Sequence, residues 1–309
     1  MTLPDSSTNS LETGVFVFSW DFELAWGFHH LSKIPDQLVT NNSREYINRI
    51  INCLERTGIP STWATVGHLF LEDCTRTKDG IHPEVPHPSE NWYQNDPGTD
   101  VEDAPLWYAP DVVQRLQNCS SRQELACHTF SHITTTESSH IIRSELKLSQ
   151  EVPPPGVELS SFVSPRHHNV PSEILADLSF QCYRIPTTPS SLKRVAKFYS
   201  GVVPPSTGIP KRDEHGIWRI PTSTYFFYEP LNYIQKKIPD IKKRWFKSGI
   251  ERAAQNNEVF HVWAHPHNFI GDDHAINQFE WLLEYVEQIS KKNLIQPMTM
   301  NKLAERMAN

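Results

Sequence analysis

The sequence predicts an α/β protein with a parallel β-sheet, because strand-like and helix-like segments alternate along it. Residues 14–20 are a short apolar run of β-branched and aromatic side chains, which is typical of a buried strand. Residues 42–57 carry apolar side chains at helical spacing, and residues 60–67 again have the pattern of a strand. A strand, a helix and a second strand at this separation form the βαβ unit of a parallel sheet.

The same alternation continues through the chain. Short β-branched and aromatic runs predict the later strands, and segments with a helical apolar period predict the helices between them. The predicted strands are 125–127, 161–163, 180–185, 218–221 and 259–264, and the predicted helices are 109–117, 139–150, 172–178, 230–255 and 275–291. The helix at 230–255 is basic, and its lysines, including Lys242 and Lys243, are interpreted as a solvated face.

Two segments do not fit this alternation. Residues 1–13 are polar, and we expect a flexible N-terminal segment there, followed by a single domain at 14–309. Residues 75–106 are polar and rich in proline. A loop of that length inside a compact domain is usually a binding loop or an insertion, so we interpret it as an insertion into the domain.

Composition excludes several classes of protein. The net charge of −7 argues against a nucleic-acid-binding surface or a polybasic membrane anchor. The N-terminus lacks the basic and apolar regions of a secretory signal, and no apolar stretch is long enough to span a membrane. The five cysteines are scattered and odd in number, which favours reduced thiols. We therefore expect a cytoplasmic protein.

Polar side chains follow four of the predicted strands. In a sheet or barrel of parallel strands, functional groups gather at the carboxyl ends of the strands. We expect these groups to meet at one edge of the sheet. They are Asp21 and Glu23, His128 and His132, Arg166, and His265 and His267.

The residue types in these clusters indicate metal-assisted hydrolysis of an amide or ester. A carboxylate and two imidazoles can hold a divalent ion and leave a position open for water. His128 and His132 would share one face if the chain turned helical there, although such a pair alone could equally be two surface histidines. Asp21 and Glu23 are two apart, so one could bind the ion while the other acts as a base. His265 or His267 could then protonate the leaving group.

These motifs resemble those of the NodB-homology polysaccharide deacetylases, the carbohydrate esterase family four superfamily. The segment Ser19-Trp-Asp-Phe-Glu23 is similar to the family's T-F-D-D-G motif, and residues 58–67 are similar to its G-x-P-A-T-F-F-x-x-G segment. The most specific match is His128-Thr-Phe-Ser-His132, which fits H-[ST]-x-x-H in full. The resemblance covers most of the chain, from roughly residue 15 to residue 303.

The resemblance implies a distorted (β/α) barrel with its site at the carboxyl ends of parallel strands. It implies that Asp21 is the catalytic base and that Glu23, His128 and His132 bind a divalent metal. Zn²⁺ is the first choice, with Co²⁺ or another divalent ion as alternatives. The segment ending in His265-Pro266 is similar to the family's last motif, which favours His265 as the catalytic acid.

Other family positions differ. The family's R-x-P arginine would fall at Val163, and we assign its role of orienting the base to Arg166. No D-x-x-D-W segment is evident around Trp218. The predicted substrate-binding residues are Trp26, Trp92, Tyr108 and His267. For the aromatic residues of the insertion, the alternative is that they fix the loop to the body of the protein.

The predicted function is a metal-dependent hydrolase that removes an N-acetyl or O-acetyl group from a sugar during polysaccharide biosynthesis or modification. A saccharide intermediate made inside the cell is the expected substrate, and it could be linked to a lipid or a nucleotide. One alternative is hydrolysis of a non-sugar C–N bond in a small amide or cyclic ureide. Another is a non-catalytic carbohydrate-binding relative that kept the fold.

Overall fold

The computed structural model describes residues 11–31, 33–39, 43–186, 205–229, 236 and 240–309. The predicted flexible segment at 1–13 therefore lies outside the described residues up to residue 10. Residues 230–235 and 237–239 of the predicted helix 230–255 also lie outside them. Leu11, within the predicted flexible segment, is buried and packs with one of the two apolar cores.

The described strands form one sheet. The strands are β1 (Gly14–Phe22), β2 (Ser61–Thr65), β3 (Gln123–Cys127), β4 (Ser161–Val163), β5 (Cys182–Ile185), β6 (Lys211–Arg212), β7 (Trp218–Pro221), β8 (Thr224–Tyr225), β9 (Val259–Ala264) and β10 (Ile295–Met298). The sheet is parallel throughout except where β6 pairs antiparallel with β7. The strand order is β6-β7-β5-β4-β3-β2-β1-β9-β8, and β10 pairs with the first half of β1. The predicted α/β class is confirmed.

Helices separate most of the strands. Over the described ranges, no helix is both long enough and apolar enough to cross a membrane. The helices are α1 (Asp36–Val39), α2 (Ser43–Thr57), α3 (Pro110–Gln117), α4 (Ser139–Glu151), α5 (Ser172–Asp177), α6 (Ile241–Asn256), α7 (Asp273–Ser290) and α8 (Met300–Ala308). The sequence patterns did not predict β10 and α8 at the C-terminus. Strand β10 was not predicted because it contains Pro297. Proline has no backbone N–H to donate to a neighbouring strand, so its presence argues against a strand.

Strand β1 is the centre of the fold and separates two apolar cores. Phe16, Phe18 and Trp20 pack on the helix side, where the Phe279 ring of α7 lies 5.1 Å from Phe18 and 5.2 Å from Trp20. The alternate residues Val15 and Val17 belong to the smaller core on the other face. Because side chains alternate along a strand, Ser19 and Asp21 continue this second face toward the carboxyl end of β1.

The carboxyl ends of four strands lead into short 3₁₀ turns. The turns are Leu24–Phe28 after β1, Gly67–Phe70 after β2, Pro165–His167 after β4 and Pro266–Phe269 after β9. Since these strands run parallel, the turns lie at the same edge of the sheet. This edge carries the candidate site.

Lys242 on α6 differs from the predicted solvated face. Its side chain is buried, and its Nζ lies 3.9 Å from the centre of the Phe226 ring. Burial lowers the pKa of Lys242 to about 7, since a desolvated ammonium is disfavoured. The charge pattern of a helix does not show which lysine turns inward, so this part of the prediction was wrong.

Candidate active site

Five side chains from distant parts of the chain meet at the carboxyl edge of the sheet. Glu23 Oε1 lies 3.1 Å from His128 Nε2 and 3.1 Å from His132 Nε2. His265 Nε2 is 3.6 Å from the same oxygen and 3.9 Å from Asp21 Oδ2. The side chain of His265 is 21% exposed, whereas those of the other four are at most 8% exposed. The cluster is therefore reached from the side of His265.

Glu23 follows β1 directly and starts the turn Leu24–Phe28. The turn folds Gly27 back onto the Glu23 side chain. A Cβ at Gly27 would lie 2.2 Å from Glu23 Oε2, so only glycine leaves room for the carboxylate in this position. The first carboxylate of the predicted metal set is thus fixed by the local backbone as well as by the strand.

His128 and His132 converge through a loop and not through the helical turn that their spacing suggested. Helix α4 begins only at Ser139, and Thr129 and His132 have φ values of 58° and 59°. Two left-handed residues curl the loop so that both imidazoles reach Glu23. The loop is held by Glu145 of α4, whose two oxygens accept from the Ser131 amide at 2.8 Å and the Ser131 hydroxyl at 2.6 Å.

The proton on His128 can be placed from its partner. His128 Nδ1 lies 2.8 Å from the Val163 carbonyl oxygen, which can only accept, so Nδ1 carries the hydrogen. In a neutral imidazole the Nε2 lone pair then faces the Glu23 carboxylate. A lone pair and an anion at this distance attract only through a shared cation or proton. This arrangement, with the second ring nitrogen anchored on a backbone carbonyl, is typical of metal-ligating histidine.

The donor set fits a divalent metal. The ligand atoms of Glu23, His128 and His132 lie within 4.8 Å of one another, as do those of Asp21, Glu23 and His265. His132 Nδ1 is buried and has no hydrogen-bond partner in the described part of the chain. One carboxylate and two imidazoles are a common zinc ligand set, and three protein ligands leave a coordination position free.

Asp21 is paired with an arginine, Arg184, that is absent from the predicted site residues. Arg184 of β5 donates from Nη1 to Asp21 Oδ1 and from Nη2 to Asp21 Oδ2, both at 2.6 Å, and its side chain is 1% exposed. Arg184 Nη1 also donates to Ser19 Oγ at 3.0 Å. Burial alone would raise the pKa of Asp21, but the Arg184 charge and hydrogen bonds outweigh it and lower this pKa to about 2. Asp21 is therefore an oriented carboxylate.

This pairing corrects the role given to Arg166. Arg166 is exposed, lies in a left-handed backbone conformation with φ of 54°, and makes no hydrogen bond to Asp21 in the described structure. The guanidinium that orients Asp21 belongs to Arg184. The signal that could have revealed it is an arginine inside the otherwise apolar strand 182–185, because a buried arginine requires an anionic partner.

His265 follows β9 and is held by Tyr225. The Tyr225 hydroxyl donates to Asn268 Oδ1 at 2.6 Å, so its oxygen can accept from His265 Nδ1, 3.3 Å away. Burial would lower the pKa of His265, but the Glu23 and Asp21 carboxylates outweigh it and raise this pKa. His265 can therefore carry a proton toward the carboxylates.

His267 lies behind His265. Their rings stack with centroids 4.7 Å apart, and His267 is only 6% exposed. Burial lowers the pKa of His267 to about 3, which keeps its imidazole neutral. The structure places His267 against His265, and its predicted contact with substrate stays a prediction.

The structure contradicts the substrate-binding role of two predicted aromatic residues. Trp26 and Tyr108 are both 0% exposed and belong to the large core. Trp26 Nε1 donates to the Trp107 carbonyl oxygen at 3.2 Å, and the Tyr108 hydroxyl lies 3.0 Å from Cys74 Sγ. Trp92 is half-buried, and its Nε1 donates to Ser131 Oγ at 2.8 Å. This hydrogen bond ties the insertion to the His128–His132 loop.

Comparison with known proteins gives similarity of fold. No protein-family model matches the chain, and no curated protein sequence matches it. Among solved structures, the chain is similar to a protein from Mycobacterium smegmatis provisionally assigned as a polysaccharide deacetylase. The TM-score is 0.55 at 11% identity, covering 100% of this chain and 93% of the other.

Two further solved structures have the same fold. Puue allantoinase aligns with a TM-score of 0.53 at 9% identity over 99% of this chain and 93% of its own. The 4-alpha-glucanotransferase from Thermococcus litoralis aligns with a TM-score of 0.51 at 13% identity, over 96% of this chain and 40% of its own. The chain thus has the α/β fold shared by these proteins, with its polar cluster at the carboxyl ends of the strands.

Proposed function

We propose that the protein is a metal-dependent hydrolase that removes an acetyl group from a nitrogen or oxygen of a saccharide. The observation that carries the proposal is the meeting of Glu23, His128 and His132 beside an arginine-bound Asp21 and a partly exposed His265. The shared fold with the Mycobacterium smegmatis protein supports it. The acetylated saccharide could be linked to a lipid or a nucleotide.

Glu23, His128 and His132 would hold the divalent ion, with Zn²⁺ as the first choice and Co²⁺ as an alternative. Such an ion supplies a Lewis acid for the acyl oxygen and lowers the pKa of a bound water. Asp21, kept ionised and fixed by Arg184, is placed to accept a proton from the attacking water. The bidentate pairing also fixes the direction in which the Asp21 oxygens point.

His265 is the proposed proton donor to the leaving nitrogen or oxygen. It stands on the accessible side of the cluster, and the charges of Glu23 and Asp21 favour its protonated form. Trp263 and Tyr225 are half-buried next to it, with ring centroids 5.5 Å and 5.9 Å from the imidazole. These two side chains are the proposed walls on the substrate side in place of Trp26 and Tyr108.

The test is acetate release from a panel of N-acetylated and O-acetylated sugars by wild-type protein, with and without a chelator. We expect release that the chelator abolishes and that falls by on the order of 10³-fold in Asp21→Asn. The matched control is Asp213→Asn. Asp213 is not a member of the cluster, and its carboxylate accepts a hydrogen bond from the Tyr183 hydroxyl, so this variant should retain activity. Undiminished release by Asp21→Asn would contradict the proposed base.

A second candidate is hydrolysis of a C–N bond in a small amide or cyclic ureide. Two observations favour it: the fold shared with Puue allantoinase and the burial of Trp26 and Tyr108, which removes two predicted sugar-binding surfaces. Adding allantoin and related ureides to the panel separates the two candidates. A protein that binds sugars without releasing acetate or opening any ureide would instead be the non-catalytic relative.

A further inference from the structure

A second cluster of potential metal ligands joins the insertion to the turn after β2, apart from the candidate active site. It consists of His68, Cys74, His82 and Asp96, whose ligand atoms all lie within 4.8 Å of one another. His68, Cys74 and Asp96 are at most 8% exposed, and the side chain of His82 is 16% exposed. We call this set the insertion cluster.

The distances in the insertion cluster are close to those between ligands on one ion. His68 Nε2 is 3.1 Å from His82 Nε2 and 3.1 Å from Asp96 Oδ2. His82 Nε2 is 3.8 Å from Asp96 Oδ2, and Cys74 Sγ is 3.6 and 3.7 Å from the two Asp96 oxygens. Nitrogen, oxygen and sulfur ligands at tetrahedral zinc are about 3.3–3.6 Å apart, given the usual bond lengths.

The remaining polar atoms of two ligands are already occupied. His68 Nδ1 donates to the Trp107 carbonyl oxygen at 3.2 Å, which leaves Nε2 free to bind. Asp96 Oδ1 accepts from the Gly98 amide at 2.9 Å, which leaves Oδ2 on the side of the histidines. Anchoring of the outer atom of a ligand by a backbone group is typical of metal sites.

Cys74 has a partner that suits a thiolate. The Tyr108 hydroxyl accepts from the Thr99 amide at 3.1 Å and lies 3.0 Å from Cys74 Sγ. With that amide as donor, the hydroxyl hydrogen is available to the sulfur. This contact also gives Tyr108 a role that its burial denies it as a substrate-binding residue.

A single proton does not explain the convergence. Because the hydrogen of a neutral His68 is on Nδ1, an additional proton would be needed on Nε2; it could be donated to Asp96 or to His82, but His82 Nε2 and the carboxylate also approach each other. A cation at the centre satisfies all three contacts and the thiolate together.

The position of the cluster shows what an ion there would do. Residues 71–109 contain no helix or strand, although the whole of this stretch is described. His68 belongs to the turn after β2, whereas Cys74, His82 and Asp96 come from the loop itself. An ion would hold this long loop against the sheet. The free energy of metal binding would then offset the conformational entropy lost on ordering a segment without secondary structure.

The turn that carries His68 of the insertion cluster also contacts the candidate active site. The Gly67 amide donates to the Thr129 carbonyl oxygen at 2.8 Å, and the His68 amide donates to that of Phe130 at 2.9 Å. These bonds support the loop that carries His128 and His132. On the other side, the ring of Trp26, just after Glu23, lies 4.5 Å from the ring of His68.

From this geometry we propose that His68, Cys74, His82 and Asp96 bind a structural Zn²⁺ that fixes the insertion. Four protein ligands leave no position for substrate, which distinguishes this site from the three-ligand set of Glu23, His128 and His132. The proposal does not depend on the proposed function, since it concerns a separate ion with a thiolate ligand.

Replacement by Co²⁺ tests the proposal, because only the insertion cluster offers a thiolate among the candidate ligand groups of the described residues. We expect purified protein to contain one equivalent of Zn²⁺ in the insertion cluster, besides the equivalent proposed for Glu23, His128 and His132. After exchange, the Co²⁺ protein should show an intense near-ultraviolet thiolate-to-cobalt absorption. A fully Co²⁺-exchanged wild-type protein without this absorption would overturn the proposal.

Variants assign the absorption to its ligand. Cys74→Ser and His82→Ala should each bind one equivalent less metal, and Cys74→Ser should lose the absorption. His128→Ala should also lose one equivalent but keep the absorption, which separates this site from the candidate active site. Cys119→Ser is the matched thiol control and should keep both equivalents and the absorption. Retention of the absorption in Cys74→Ser would refute the assignment. If that variant does not fold, the presence or absence of the absorption in the Co²⁺-exchanged wild-type protein still tests the proposal.

Discussion

Two clusters of histidines and carboxylates lie close together in this fold, and they differ in what they leave open. Around Glu23 there are two imidazoles, a partly exposed His265 and a carboxylate that is held by Arg184 and is not one of the three proposed ligands. In the insertion cluster, the ligand atoms of all four groups lie close together, the outer atoms of His68 and Asp96 are anchored by the backbone, and Tyr108 contacts the Cys74 sulfur. The first arrangement suits chemistry and the second suits structural support, because catalytic metal sites keep a free position and structural ones do not.

The largest expected difference between the clusters is in the response to loss of one histidine. His128→Ala should reduce acetate release on the order of 10³-fold, because it removes a proposed ligand of the active metal. His82→Ala should instead lower the thermal midpoint by about 5 °C or more, because it releases the insertion. Acetate assays and calorimetry on both variants measure this. Equal loss of stability in the two would remove the distinction.

Arg184 should contribute several kcal/mol to stability, whereas Arg166, to which the sequence assigned the orienting role, should contribute little. Arg184→Met leaves Asp21 as an unpaired buried charge, and we expect a loss of about 3–5 kcal/mol in the free energy of unfolding. Arg166→Met, at an exposed position, should change this free energy by less than about 0.5 kcal/mol. Urea unfolding of both variants measures the difference. A larger effect at Arg166 would restore the original assignment.

Glu145 should make the stability of the His128–His132 loop depend on pH. Burial raises the pKa of Glu145 from 4.5 to about 7, although its bonds from Ser131 oppose this. The folded state then binds the proton more tightly than the unfolded state. The free energy of unfolding should therefore fall by roughly 3 kcal/mol as pH rises from below 4.5 to above 7.

Glu145→Gln should remove that part of the pH dependence while keeping a hydrogen-bonding side chain near Ser131. Urea unfolding at several pH values between 4.5 and 8 compares the two proteins. The wild-type curve should fall relative to that of the variant as pH rises. Parallel curves would show that Glu145 does not titrate in this range.

The smallest expected effect is at Gly27. A Cβ there would lie 2.2 Å from Glu23 Oε2, so Gly27→Ala should displace the carboxylate and reduce acetate release by about 10- to 100-fold. The insertion cluster does not involve this contact, so the thiolate-to-cobalt absorption should be unchanged. Loss of that absorption in Gly27→Ala would show that the two sites are not separable.

Much of the fold could be predicted because it follows from local patterns. The apolar run of β1 and the helical period of α2 were enough to place a parallel unit, and the two-residue spacing of Asp21 and Glu23 predicted that they share a face. In contrast, β10 was missed because Pro297 and its four-residue length conceal a strand that depends on pairing with β1.

The sequence predicted the residues of the candidate site better than it predicted the side chains that hold them in place. Asp21, Glu23 and the two loop histidines could be grouped because each follows a predicted strand. The partner of Asp21 could not be chosen from proximity to a motif, since Arg184 comes from β5 and reaches Asp21 only through the curvature of the sheet. The insertion cluster was hidden for a similar reason, because its four ligands are spread over residues 68–96 without a regular spacing.

The most direct test of the central claim is acetate release by chelator-treated protein before and after Zn²⁺ is restored. We predict that metal-free protein releases no acetate from any acetylated sugar, and that added Zn²⁺ restores release in the wild type but not in His128→Ala. Full activity of the metal-free wild type, or restoration in His128→Ala to the wild-type rate, would contradict the claim.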